Sequence, residues 1–139
     1  MSNKKVIYNI SLKIFLERDG KFLILTNDEN KFDLPGGRID DDEHGKPLKD
    51  ILLRETAEEL GEEFKFEIGE PVIHFRRIFD EDGLYVFIVV FSGKVVSDKI
   101  IISNEHNGYS WMKPEEIISD PRNFYSEEEY AAFARFLLR

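Results

Sequence analysis

Apolar and polar positions alternate along the first third of the chain. From Val6 to Glu17 the residues Ile10, Leu12, Ile14 and Leu16 share one side of a two-residue period, which predicts a strand. Asp19-Gly20 is a hairpin turn signal. The run Lys21 to Thr26, "KFLILT", is apolar on both faces, as expected of a strand covered on both sides. Asn27 to Lys31 reads as a polar loop, and "LPGG" at 34–37 interrupts regular structure. From Pro47 to Leu60 the pattern turns helical, with Pro47 at the start and Gly61 as a stop signal. Pro71 to Phe79 and Leu84 to Phe91 read as strands around an Asp82-Gly83 turn, with Gly93 to Ile102 as a further strand. "NEHNGYSWMKPEEI" gives a loop, a short strand and a short helix opened by Pro114. Ser126 and Glu129 form a capping-box pattern. It leads into a final helix whose apolar stripe is Tyr130, Phe133, Ala134 and Leu137. Strands and helices interleave without regular alternation, which predicts an α+β domain: a mixed sheet with helices packed on it.

Composition narrows the function. The 139 residues suit a single domain spanning 1–139, and 42% apolar residues suffice for a core. A net charge of −9 argues against nucleic-acid partners and against an anionic membrane surface. A small polyanionic substrate stays open, because a bound metal reverses the local field. The chain has no cysteine, which excludes disulfides, thiolate nucleophiles and cysteine-ligated zinc. The first residues lack a signal-peptide apolar core and no apolar run could span a bilayer, so a cytoplasmic location is expected.

One turn of the predicted helix carries too much charge of one sign. In "RETAEELG", residues 54–61, Glu55 and Glu59 are four apart, as are Glu58 and Glu62. Like charges at that spacing destabilise an isolated helix by about 0.2–0.5 kcal/mol per pair. At about 100° per residue, Glu58 and Glu59 flank Glu55 on one face. Leu53, Ala57 and Leu60 centre on the opposite face, which is expected to meet the sheet. Arg54 precedes Glu58 by four and offers one ion pair. A solvated acidic face explains such a run as well as a metal site does. A hard divalent cation would turn the repulsion into chelation. The preceding "LPGGRIDDDEHG" is acidic and glycine-rich, and Gly36-Gly37 lets the backbone approach a ligand closely. An EF-hand is excluded, because its twelfth position falls on Ile51, where a glutamate is required.

Taken together, Gly37 to Glu62 resembles the Nudix box. Gly37 and Glu43 match its first spacing; Arg54-Glu55, Glu58-Glu59 and Gly61 match its second half. Ten residues rather than seven separate Glu43 from Arg54, Thr56 stands where an apolar residue is usual, and Glu62 replaces the final apolar residue. The resemblance implies a Nudix-type α/β/α sandwich, often dimeric. It implies a hydrolase that cleaves the pyrophosphate linkage of a nucleoside diphosphate joined to another group, X, with Mg²⁺ or Mn²⁺ as cofactor. On this basis Gly37, Glu55, Glu58 and Glu59 are the expected metal ligands, and Arg54 orients the glutamates. The general base is either Glu55 or, from the later loop, Glu105, with His106 a weaker candidate on pKa grounds. The longer loop leaves the role of Glu43 open.

The group X must contact residues outside the box. Phe32, Phe75, Arg77 and Phe79 are the candidate substrate contacts, and Tyr85 is a further aromatic able to stack; aromatics in strands are otherwise core. Cues for ADP-ribose or diadenosine polyphosphates are not in place, and compact MutT-like members are the nearest in size, so a nucleoside triphosphate is preferred. ADP-ribose, nucleotide-sugar or dinucleoside polyphosphate hydrolysis is the alternative. A Nudix-fold sensor without turnover and an acidic protein-interaction domain are the rivals; the full set Glu55, Glu58 and Glu59 favours the enzyme over the sensor.

Overall fold

A computed structural model describes residues 3–97, 100 and 108–139. The strands are β1 (Asn9–Arg18), β2 (Lys21–Thr26), β3 (Phe32–Asp33), β4 (Gly36–Arg38), β5 (Lys65–Phe79), β6 (Leu84–Ser97) and β7 (Gly108–Met112), and the α-helices are α1 (Leu48–Leu60), α2 (Pro114–Ile117) and α3 (Glu127–Leu137). The sheet runs β3-β2-β1-β6-β5, with β4 paired to β1 and β7 to β2. β1 is parallel to β6 and antiparallel to β2 and β4, so the sheet is mixed as expected.

The side-chain period of β1 explains the layering. Leu12, Ile14 and Leu16 point to one face and join Leu23, Ile51, Leu52 and Leu60 beneath α1. Phe15 points to the other face, where α3 lies, and its ring packs on Phe22, Phe133 and Phe136 with centroids 5.7, 5.2 and 4.6 Å away. The doubly apolar β2 divides the same way, with Leu23 and Leu25 toward α1 and Phe22 and Ile24 toward α3. Helices thus cover both faces of one sheet.

Several sequence expectations need correction. Gly36–Arg38 is not merely a break: it pairs with Ser11–Lys13 as β4. Of the expected strand from Gly93 to Ile102, Gly93–Ser97 is the end of β6, with Gly93 and Lys94 paired to both β1 and β5, while 98, 99, 101 and 102 lie outside the described residues. β5 begins at Lys65, earlier than its pattern suggests, because irregularities around Ile68–Ile73 shift the side-chain period and an edge strand tolerates Pro71. In α3 the buried apolar residues are Ala132, Phe133, Phe136 and Leu137, with Tyr130 and Ala134 half-buried. The capping box is half made: Ser126 Oγ accepts the Glu129 N–H at 3.1 Å, but the Glu129 carboxylate turns to Arg77.

Candidate active site

Helix α1 presents its glutamates differently from the wheel. Its buried residues are Ile51, Leu52, Thr56, Glu59 and Leu60, while Leu53 is exposed and Ala57 half-buried. The buried face is rotated toward Glu59 because a core ligand partner waits there: Glu59 Oε1 accepts the N–H of Gly36 at 2.5 Å. Thr56 tolerates burial because its hydroxyl donates to the Leu52 carbonyl at 2.8 Å. Glu55 is half-buried, Glu58 exposed and Glu59 only 4% exposed. The three carboxylates therefore sit at graded depths along one edge, not on a face turned away from the molecule.

The two glycines allow this approach for different reasons. Gly36 has φ +132, and a Cβ there would fall 2.0 Å from the Leu12 carbonyl oxygen. Gly37 has an ordinary backbone conformation, but a Cβ there would stand 2.4 Å from Glu55 Oε2. The missing side chains let the turn lie directly against the helix.

Arg54 holds the acidic groups together. Its Nε and Nη2 donate to the two oxygens of Glu43 at 2.5 and 2.6 Å. Nη2 also donates to Glu55 at 2.6 Å, Nη1 to Glu58 at 2.9 Å, and Asp40 lies 3.4 Å away. Glu43 is buried, and the three additional loop residues have not moved it away from Arg54. The hydrogen bond from Arg54 holds the Glu43 carboxyl below its ordinary pKa. Glu55 goes the other way: burial raises it, against the opposing pull of Arg54. Asp40, Asp42 and Glu43 bring carboxylate oxygens within 4.8 Å of one another. Both oxygens of Glu43 are taken by Arg54, so this group reads as the anchor of the arginine.

A cleft of about 530 Å³ opens beside this edge. Its lining includes Gly37 and the carboxylates of Asp40, Glu55, Glu58 and Glu59, the polar side chains of Asn27, Lys13, Asp33 and Arg77, and the apolar Phe79, Leu84, Val86 and Ile88. A NUDIX domain model matches residues 8–135, nearly the whole chain. The chain belongs to the Nudix family. It is 27% identical over 115 residues to nucleoside triphosphatase NudI of Salmonella agona, covering 73% of this chain and 79% of that protein. Among solved structures, a MutT protein from Methanosarcina mazei Go1 superposes with a TM-score of 0.73 at 32% identity, covering 93% of this chain and 92% of that one. An ADP-ribose pyrophosphatase from Streptococcus suis shares the fold at a TM-score of 0.65 and 18% identity, covering 95% and 91%.

The chain is thus a Nudix hydrolase acting on nucleoside diphosphate derivatives, and enzymes of this family generally use a divalent metal. The residues present fit such an ion. The cradle offers oxygen donors alone, the carboxylates of Glu55, Glu58 and Glu59 and the nearby backbone of Gly37, as hard divalent cations require. The space above Gly37 is what a Cβ would fill.

The structure separates the expected substrate contacts. Phe79 and Arg77 line the Nudix cleft. The Arg77 guanidinium is already engaged, donating to both oxygens of Glu129 at 2.9 Å, lying 3.3 Å from Asp33, and stacking over Tyr125 at 4.4 Å. Phe75 is 1% exposed against Phe133, and Phe32 packs edge-on against Phe124; both belong to the α3-side core, because alternation along their strands turns them inward. Tyr85 packs edge-on against Tyr8. Glu105 and His106 lie outside the described residues. The sequence reading missed Lys13 and Asp33. Lys13 carried a signal, a lone cation on the Ser11-Lys13-Phe15 side of an otherwise apolar strand, whereas Asp33 carried none.

Proposed function

We propose that this chain is a Mg²⁺-dependent hydrolase that cleaves the pyrophosphate linkage of a nucleoside diphosphate joined to X, with a nucleoside triphosphate as the preferred form. The observation that carries the reading is the convergence of Glu55, Glu58 and Glu59 on the Gly36–Gly37 turn beside a cleft large enough for a nucleotide. The triphosphate preference is supported by the sequence similarity to the nucleoside triphosphatase NudI, whereas the ADP-ribose pyrophosphatase is alike in fold alone.

In this reading Glu58, Glu59, Glu55 and the Gly37 carbonyl hold the metal. Bound there, a divalent ion neutralises the diphosphate and acidifies a water. Glu55, raised by burial toward holding a proton, is suited to accept one from the attacking water. Glu105 is the alternative base. Arg54, fixed by the two hydrogen bonds it donates to buried Glu43, is a positioning residue that sets the directions of Glu55 and Glu58. Water attacks one phosphorus, its O–P bond forms as the bridging P–O bond breaks, and two phosphate-bearing products leave. A panel of nucleoside triphosphates, ADP-ribose, dinucleoside polyphosphates and nucleotide sugars, run with Mg²⁺ and with Mn²⁺, tests this. Metal-dependent release of pyrophosphate or nucleotide from a triphosphate is expected; no turnover of any member would overturn it.

A further inference from the structure

Gly36 is held from two sides, and only one of its holders is a glutamate. Lys13 and Gly36 stand opposite each other in the antiparallel pair of β1 and β4. The flanking positions are the bonded ones: the Ile14 N–H donates to the Pro35 carbonyl at 3.1 Å, and the Ile39 N–H to the Ile10 carbonyl at 2.9 Å. Alternation along the pair therefore turns the Gly36 N–H and carbonyl away from the β1 backbone. The N–H goes to Glu59 at 2.5 Å, and the carbonyl accepts the Lys13 ammonium at 3.4 Å. Gly36 is the first residue of a three-residue strand, at a φ of +132. A glycine brings no side chain to restrict its own backbone torsions. The lysine supplies that restraint on the carbonyl side.

The lysine is itself braced. It is 8% exposed, and its ammonium lies 3.3 Å from Asp33. Asp33 accepts the Leu34 N–H at 2.8 Å and lies 3.3 Å from Arg77, which donates to both oxygens of the fully buried Glu129 at 2.9 Å. An unbroken chain of polar contacts thus runs from α3 through β5, β3 and β1 to Gly36, and through Gly36 to Glu59 on α1. Replacing a buried ionic network with apolar side chains is often neutral or stabilising, so stability alone does not account for it. Its end on Gly36 gives it a place in the site.

We propose that Lys13 is a positioning residue for Glu59: by holding the Gly36 carbonyl it fixes the direction of the Gly36 N–H, and with it the carboxylate which that N–H orients. The role requires no contact with metal or substrate. This inference rests on the reading of Glu59 as a metal ligand, and it is tested by metal binding without nucleotide or turnover.

Mn²⁺ is titrated into the nucleotide-free protein, and the free ion is followed by electron paramagnetic resonance. Removing a group that orients a metal ligand through hydrogen bonds typically costs about 10–100-fold in metal affinity. Lys13→Met should weaken Mn²⁺ binding about ten-fold or more. Lys13→Arg, still a cation able to donate to a carbonyl, should keep much of the affinity. The sign of the change decides. A bystander ammonium repels Mn²⁺, so its loss would tighten binding. A folded Lys13→Met protein that binds Mn²⁺ equally or more tightly therefore overturns the inference. Amide spectra of the metal-free, ¹⁵N-labelled protein give a second readout. The Gly36 N–H, bonded to a carboxylate, should resonate far downfield in the wild type and move upfield in Lys13→Met; an unmoved signal overturns the inference as well. If Lys13→Met does not fold, the wild type decides alone. Its Lys13 ammonium should give a slowly exchanging ¹⁵N signal, whereas an ammonium in fast exchange with water is not held against Gly36 and overturns the inference. A wild type that takes up no Mn²⁺ sinks the metal-ligand reading and this inference with it. A wild type that binds Mn²⁺, beside a Lys13→Met protein that binds it as well, sinks this inference alone.

Discussion

At the residue scale, two adjacent glycines serve different ends, and substitution separates them. Gly36→Ala forces a Cβ onto the Leu12 carbonyl at a φ of +132. It should destabilise the fold by about 1–3 kcal/mol for the backbone conformation alone, with the clash in addition, measured by urea unfolding. Gly37→Ala meets only the movable end of Glu55. It should leave stability nearly unchanged and lower kcat by about 10²-fold, since displacement of a reacting group by about 1 Å has that effect. Glu55 offers a second check. Its folded pKa is raised by burial, so its stabilising contribution is present below the unfolded pKa and is lost as pH rises through the folded one. At pH 7 with a chelator present, Glu55→Gln should therefore raise Tm and flatten the Tm-against-pH curve on the acid side. A lower Tm across that range would refute the burial argument.

At the element scale, the sequence disclosed what periodicity controls. β1, β2 and their turn, the bounds of α1, and the short α2 all follow from alternation, capping and Pro or Gly placement. The rotation of α1 was not legible, because a wheel assigns Glu59 to solvent, and the Gly36 N–H that supports its burial comes from a turn distant in sequence. The clustering of Glu55, Glu58 and Glu59 beside Gly37 was readable because these residues are near in sequence. The polar wall was not, because Lys13, Asp33, Arg77 and Glu129 come from four distant elements that meet only when the sheet forms. That wall ties α3 to β5. Arg77→Ala should cost about 3–5 kcal/mol by leaving Glu129 buried and uncompensated. A thermal or urea unfolding curve superposable on the wild type would contradict it.

At the scale of the whole molecule, a chain of net charge −9 takes a polyanionic nucleotide as substrate. Arg54 is committed to the glutamates and Arg77 to Glu129. In this account the countercharge for the diphosphate must come from a divalent ion held by the cradle. The most direct measurement is therefore the Mg²⁺-dependent rate of nucleoside triphosphate hydrolysis by the wild type and by Glu58→Gln. Glu58 is exposed, so the variant should fold and keep its Tm, while its rate falls by about 10²-fold or more, the scale seen when a group acting in the transition state is removed. Equal rates for the two proteins would contradict the account.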